Sequence, residues 1–516
     1  MSDITLLNDF ARISSQNLEY QRNRDRWLFL LDSFVGGHQY KNGGYLTKYQ
    51  LETAGEYQQR LATTPLDNHC ASIVSVYTSF LFREEPERDF NHWVGEDIEA
   101  FLRDANMEGQ SLDAFMKDVA TWAAVFGHAW ILMTKPNVGV ASQGAELDMG
   151  IRPYVNVLTP LAVLDWRWER TPSGSYELVH FKYIEEVVDK FTVIKEWTKE
   201  EIRTWIMDET AKQASLDAVE VNGLGVIPAV LSYNKRSVVK GIGVSDIADI
   251  ADIQRLIYNL TSEIEQSHRL DGHPSLVVCP DTQYGSGAGA VIVIPENSDP
   301  GLKPYVLEHG GANVASIHAT IEKQVEAINR ISNTGGVRAT ETKTLSGVAM
   351  EVEFSLLNAR LAEKADQLEL TEEQLWQLFA LYQGRDWMGE IEYPGSFNIR
   401  DTAREFTQLQ QAKNTATDPV MYRIIDEHLL ELLGEEKERL PYIDINPIAG
   451  RTYPDGEPIA ESLPPLYIDA TDPQVPEGQN CANCEYYKGT ESYCMKFDAT
   501  VRPLYWCAKW EGELGE

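Results

Sequence analysis

Four of the six cysteines of this 516-residue chain crowd its last 36 positions: Cys481, Cys484, Cys494 and Cys507. Cys481-Ala-Asn-Cys484 is a C-x-x-C turn; nine residues separate Cys484 from Cys494, and twelve separate Cys494 from Cys507. On count alone, four thiolates hold one tetrahedral Zn²⁺ or one [4Fe–4S] cluster equally well. Structural zinc more often uses two C-x-x-C pairs, and only one is present. Tyr486, Tyr487, Tyr493, Phe497, Tyr505, Trp506 and Trp510 fill the intervals with aromatic bulk. Disulfides are disfavoured in a reducing cytosol. A module of about 35 residues has too small a core to fold unaided, so a structural staple is the expected role. Cys70 and Cys279 stand alone and are expected to act as small buried hydrophobes.

Other catalytic signatures are missing. There is no G-x-x-x-x-G-K-[ST], no H-E-x-x-H and no G-x-S-x-G. The glycine-rich stretch YGSGAGA sits between two predicted strands with no helix after it. A helix N-terminus is what would hold a pyrophosphate, so a hairpin tip is the expected structure. His428 lies among Asp426, Glu427 and Glu431, with no second histidine at metal-ligand spacing, which reads as a solvated helix face. No enzymatic activity is expected.

Composition narrows the class further. The 45 basic and 79 acidic residues give a net charge of −34. Such a chain repels phosphate backbones, which argues against tight general nucleic-acid binding. The 43% hydrophobic content and 12 tryptophans exclude a mainly disordered chain. No apolar run is long enough for a membrane span, and MSDITLLNDF has no signal-peptide pattern. A soluble protein of about three domains, with no membrane partner, is expected.

The order of elements is more informative. Helices are expected through the first sixty residues, over LDNHCASIVSVYTSFLF, and over SLDAFMKDVATWAAVFG with Gly127 at its end. AWILMTK reads as a strand. From about 150 to 235 the texture is short antiparallel strands: YVNVL, ELVHFKYI, FTVIKEW, IRTWI and IPAVLSYN. A helix of about 25 residues starts near Ser245, a plausible N-cap, with Asp246 and Asp249 suited to the positive end of its dipole. A β insert follows, with PSLVVC and AVIVIP joined by the glycine-rich loop and PYVLE as a third strand. A helix at about 313–332, a polar loop and a very long helix from Val348 to about Tyr382 come next. YPGSFNI reads as a returning strand, followed by helices near 401–413 and 418–433. Eight prolines in residues 441–476 read as an extended linker. The fold class is α+β.

This order resembles that of tailed-bacteriophage portal proteins, the head-to-tail connectors. GVSDIADIADIQRLIYNLTSEIEQSHRLDGHPSLVV is similar to that family's stem helix and clip entry. SGVAMEVEF resembles the start of its long kinked helix, and RPYVNVLTPLAVLDWRWER and GHAWILMTKP look like wing segments. The similarity covers roughly residues 50–440. It implies an N-terminal arm and α+β wing (1–243), stem helices (244–270 and 313–332) and a clip (271–312). It further implies a tunnel loop (333–346), a long kinked helix with a return wing strand (347–400) and crown helices (401–440). The Pro-rich linker (441–476) and a four-cysteine module (477–516) would complete the chain. The resemblance implies a homo-oligomeric ring, typically a dodecamer, at one capsid vertex of the virion, assembled in the host cytoplasm. Its channel would carry double-stranded DNA during packaging and ejection, without sequence specificity. Its partners would be terminase, head–tail adaptor or neck proteins and the major capsid protein. Arg338 and Lys343, in the implied tunnel loop, would be the transient DNA phosphate contacts.

CANCEYY…WCAKW resembles the cluster-binding half of high-potential iron–sulfur proteins, although the interval before Cys494 is shorter than usual there. That resemblance implies a [4Fe–4S] cluster on Cys481, Cys484, Cys494 and Cys507, with structural zinc the alternative. Two other functions stay open: an iron–sulfur redox protein, and another virion neck or baseplate component with a metal-stapled C-terminus.

Overall fold

The computed structural model describes most of residues 9–397 and 452–510. Outside the described residues lie 1–8, 137–145, most of 273–311, 339–346, nearly all of 398–451, 511–516 and isolated positions elsewhere. The chain divides into two compact units, Met1–Ile399 and Arg400–Glu516.

The first unit begins with helices α1 (Leu18–Val35), α2 (Gly37–Asn42), α3 (Ala54–Thr63) and α4 (His69–Leu81). A short strand β1 (Glu87–Asp89) and helices α5 (Glu96–Arg103) and α6 (Leu112–Phe126) follow. Local chemistry sets several of these limits. Thr53 and Glu56 form a reciprocal capping box at the start of α3, which satisfies two orphan amides at once. Ser111 accepts the Ala114 N–H to open α6. Gly127 closes α6 in the left-handed conformation at φ +93°. An added Cβ there would lie 2.4 Å from the Gly243 carbonyl oxygen, so glycine is required by both backbone angle and space. The α6 stripe of Phe115, Met116, Val119 and Ala123 is buried, as its helical period predicts.

Two antiparallel sheets follow. β2 (His128–Thr134) is flanked by β3 (Tyr154–Leu158) and β9 (Ala229–Tyr233). A five-stranded meander runs β4 (Val163–Arg170), β5 (Tyr176–Val188), β6 (Phe191–Trp197), β7 (Glu201–Asp208) and β8 (Gln213–Val221). The sequence reading missed β4 and β8. Both are acidic or polar at alternate positions and carry little of the continuous apolar texture that marks β2 and β6. The two sheets meet through Trp130 of β2, which packs on Trp168 of β4 and Phe181 of β5.

Helix α7 (Ala248–Gly272) leads to a β excursion with β10 (Ser275–Val277), β11 (Gln283–Tyr284), β12 (Ile292–Val293) and β13 (Tyr305–Leu307). Helix α8 (Ala312–Ser332) then returns and packs against α7. The strand pairing differs from the simple hairpin expected. β11 and β12 form the ladder around the glycine-rich loop, while β10 pairs with β13. The excursion is therefore closed at its base by its first and last strands.

A short helix α9 (Gly335–Arg338) occupies the start of the segment read as a polar loop. The 36-residue helix α10 (Gly347–Tyr382) follows and packs on β9, α4 and α6. β14 (Glu390–Glu392) returns to pair with β1. The sequence places a returning strand on YPGSFNI and sends it to the β-rich region; the strand instead covers Glu390–Glu392 and pairs with β1, outside both larger sheets. The expected crown helices fall almost wholly outside the described residues. Among the described residues no helix is long and apolar enough to cross a membrane.

The second unit departs from the expected plan. The sequence reads 441–476 as an extended linker, yet within it Tyr453, Leu463 and Tyr467 are buried in the same core as Cys481, Cys494 and Cys507. β15 (Tyr467–Asp469) pairs with the strand that carries Cys507. Prolines here punctuate a folded segment, and the interspersed aromatics supply its apolar surface.

Candidate metal centre

The four cysteines are carried by the smallest elements of the molecule. Cys481 opens a single 3₁₀ turn, Cys481–Asn483, and Cys484 caps it. β16 (Tyr487–Lys488), β17 (Tyr493–Cys494) and β18 (Ala499–Thr500) form a three-stranded ladder, and β19 (Tyr505–Cys507) pairs with β15. The elements are too short to stabilise themselves, so polar side chains set the C-x-x-C turn. The Asn483 side chain accepts from the Asn480 N–H at 3.0 Å and donates to the Gly478 carbonyl at 2.7 Å. Trp510 Nε1 donates to the Asn480 carbonyl at 2.8 Å. Trp506 Nε1 donates to Gln479 Oε1 at 2.9 Å. The two C-terminal tryptophans thus hold the turn that bears the first two cysteines.

All four thiols are buried and unpaired by disulfides. They line one small pocket together with Tyr486, Phe497, Val501 and Trp510. Backbone bonds fix their positions relative to one another. Cys484 N–H donates to the Cys481 carbonyl at 3.2 Å, and Tyr487 N–H to the Cys484 carbonyl at 2.9 Å. Ala482 N–H reaches the Pro503 carbonyl at 3.0 Å, which ties the turn to the approach to Cys507.

The electrostatics are those of thiols in an apolar pocket. Burial, reinforced by Cys507, Cys484 and Cys494, pushes the Cys481 thiol up to about 12. Burial also raises Cys507, partly offset by the Lys509 backbone N–H. Ionising Cys481 and Cys507 in this pocket calls for a cation beside them, the charge that a thiolate-bound metal supplies. The donor set therefore fits a thiolate-bound metal group. Among the described residues, no three His, Cys, Asp or Glu side chains stand in a group that could hold a single metal ion as placed.

Behind the pocket, Tyr453, Tyr467 and Tyr505 pack ring to ring, with centroids 5.1–6.2 Å apart. Tyr467 Oη accepts the Arg502 N–H at 2.7 Å. Arg502 lies over the Tyr453 ring and pairs with Asp455 at 2.6 Å and Glu457 at 3.0 Å. These exposed ion pairs are individually worth little. They nevertheless show that the segment before the cysteines is part of the module. Sequence reasoning missed these residues because proline density outweighed the tyrosine spacing.

The two residues assigned to DNA contact are placed differently from each other. Lys343 lies outside the described residues. Arg338 is half-buried at the end of α9, where Nη1 donates to Asn329 Oδ1 at 3.0 Å and Nη2 meets His69 Nδ1 at 2.8 Å. Asp67 in turn lies 3.2 Å from His69 Nε2. Arg338 thus links α8 to the start of α4. Cys70, in the first turn of α4, is fully buried as expected, and Cys279 lies outside the described residues.

No protein-family model and no curated protein matches the chain. Among solved structures it is similar to a chain in the neck of a native gene transfer agent particle computed with C12 symmetry. That match has 12% identity and a TM-score of 0.41, over 71% of this chain and 89% of that one. A chain in the virion of the native particle matches at 11% identity and a TM-score of 0.41, over 77% of this chain and 98% of that one. A chain in the neck of the empty particle, computed with C6 symmetry, matches at 13% identity and a TM-score of 0.41, over 71% and 90%.

Proposed function

We propose that this chain is the subunit of a phage-type portal ring, through which double-stranded DNA is packaged and ejected and on which terminase and neck proteins dock. The observation that carries the reading is the α7–β10–β13–α8 arrangement. Two long helices of 25 and 21 residues pack side by side and bracket a β excursion closed by β10 and β13. A 36-residue helix then runs back onto the wing sheets. This is the stem, clip and long-helix order that the sequence resemblance implies. A net charge of −34, repeated around a ring, disfavours phosphate adhesion and suits a channel along which DNA slides.

The four-cysteine module carries a [4Fe–4S] cluster in this reading, held by Cys481, Cys484, Cys494 and Cys507. The four buried thiols share one pocket, and the resemblance of CANCEYY…WCAKW to cluster-binding segments supports a cluster there, with structural zinc as the alternative. The cluster would supply a structural cross-link inside an aromatic shell.

Negative-stain microscopy of the purified, anaerobically prepared protein, with an absorption spectrum of the same sample, tests both parts. Rings with a central hole and a broad band near ~400 nm are expected. Small compact particles would overturn the portal reading. A colourless, zinc-containing sample would overturn the cluster while leaving the ring intact.

A further inference from the structure

The five-stranded meander has two dissimilar ends. Among the described residues β8 pairs with β7 alone, which leaves its outer edge open. Leu216, Val219 and Val221 on this strand are 47%, 51% and 76% exposed. Asp217 and Glu220 stand among them, and the β7–β8 register slips around Asp217. Charges and a bulge are common protections of an open edge, but three exposed aliphatic side chains on one edge strand still call for a cover.

At the other end of the same sheet, β4 and β5 wall a cleft of about 960 Å³. Its opposite walls are β9, the outer strand of its own sheet, and the C-terminal part of α10. Aliphatic residues such as Val230 and Leu378 line it. Arg236 and Lys240 stand at its rim and form no ion pair among the described residues. Lys240 sits over Tyr176 at 3.1 Å, and Arg170 over the same ring at 4.6 Å. Burial, and then the neighbouring Arg170, lower the Lys240 pKa. Glu177 at the cleft is already engaged by Lys199, and Asp386 is the other acid in the lining. In a chain of net charge −34, this aromatic and aliphatic cleft carries at its rim two cations with no carboxylate partner among the described residues.

We propose that the β8 edge of one copy docks in the cleft between β9, β4–β5 and α10 of the next copy. Asp217 and Glu220 would meet Arg236 and Lys240, and Leu216, Val219 and Val221 would cover the cleft's apolar floor. The unpaired edges of β8 and β9 give the contact a backbone component by strand addition. The two surfaces lie at opposite ends of one sheet, four strand spacings or roughly 19 Å apart. Such a contact is head-to-tail and propagates from copy to copy, as a closed ring requires. The inference rests on the ring reading and names its subunit contact.

Charge reversal with rescue tests it on the full-length chain, by native mass spectrometry and light scattering against protein concentration. Asp217→Lys with Glu220→Lys, and separately Arg236→Glu with Lys240→Glu, should each raise the concentration for half-assembly ~10-fold or more, because like charges then face each other. All four residues are exposed, and unchanged thermal melts of each variant will show that the fold is intact. The fourfold variant, which restores opposite charges, should recover assembly. Rings that form undisturbed in either double variant would overturn this contact and leave the portal reading standing. Loss of assembly without rescue in the fourfold variant would equally overturn the pairing. A wild-type chain that stays monomeric at all concentrations would overturn both the pairing and the ring.

Discussion

Arg88 and Glu372 form a buried ion pair, with Arg88 Nε donating to Glu372 Oε1 at 2.6 Å, and Glu372 is fully excluded from solvent. Glu372 also accepts from Tyr393 Oη at 2.6 Å and from Trp376 Nε1 at 3.2 Å, and Arg88 reaches Asp113 at 2.6 Å. One carboxylate therefore joins β1, the long helix α10 and the segment after β14. Removing Glu372 leaves the buried Arg88 with the partly exposed Asp113 as its remaining carboxylate. Glu372→Gln is expected to destabilise the first unit by somewhat less than the about 3–5 kcal/mol of a wholly unpaired buried charge. Arg88→Met combined with Glu372→Leu should cost markedly less, because it removes both charges. Urea unfolding of the three proteins checks the ordering, and a double variant worse than Glu372→Gln would contradict it.

Gly127 predicts a second large effect. Gly127→Ala places a Cβ against the Gly243 carbonyl and forces a left-handed angle on a non-glycine residue. The loss should exceed ~2 kcal/mol, since overpacking and strain both act. Gly37→Ala, also at positive φ but with nothing near its Cβ, provides the comparison and should be milder. Equal losses in the two variants would mean that strain alone, not contact with Gly243, sets the cost.

Glu196 gives the acid response a defined window. Burial would raise its pKa, but His180 and Arg12 outweigh burial and hold the carboxyl at about 2, below its usual 4.5. A carboxylate whose folded pKa is depressed stabilises the fold fully above the unfolded value. That contribution is lost as pH falls from about 4.5 towards 2. Denaturant midpoints measured across this window should fall less steeply in Glu196→Gln than in the wild type. Parallel slopes would remove Glu196 from the account.

The cysteine module makes a prediction about extent. Cys481→Ser with Cys484→Ser should abolish amide protection from Tyr453 to Trp510, because Tyr453 and Tyr467 share the core with the thiols. Protection within residues 18–382 should persist, and ring assembly with it. Hydrogen exchange resolves the two regions. Protection that survives at Tyr467–Asp469 would mean that this strand does not depend on the four-cysteine core.

The long periodic elements were legible before any coordinates. Repeating apolar positions mark α7, α8 and α10 to within a few residues, because a helix buries a stripe that a 3.6-residue period alone can write. The four cysteines likewise stood out by type and spacing, and the fold brings all four to one pocket. Tertiary structure decided the rest. β4 and β8 are the two end strands of one sheet, and neither carries enough local apolar signal to show it. Arg338 bonds His69 across 269 positions, a contact that no local pattern encodes. Tyr467 joins the cysteine core only because β15 finds β19, and the pairing of β10 with β13 depends on where two long helices bring the chain's ends. Periodicity and donor chemistry are properties of neighbours along the chain, so sequence determines them. Partnership between distant segments is settled by which surfaces can be buried together, and only the folded chain resolves that competition.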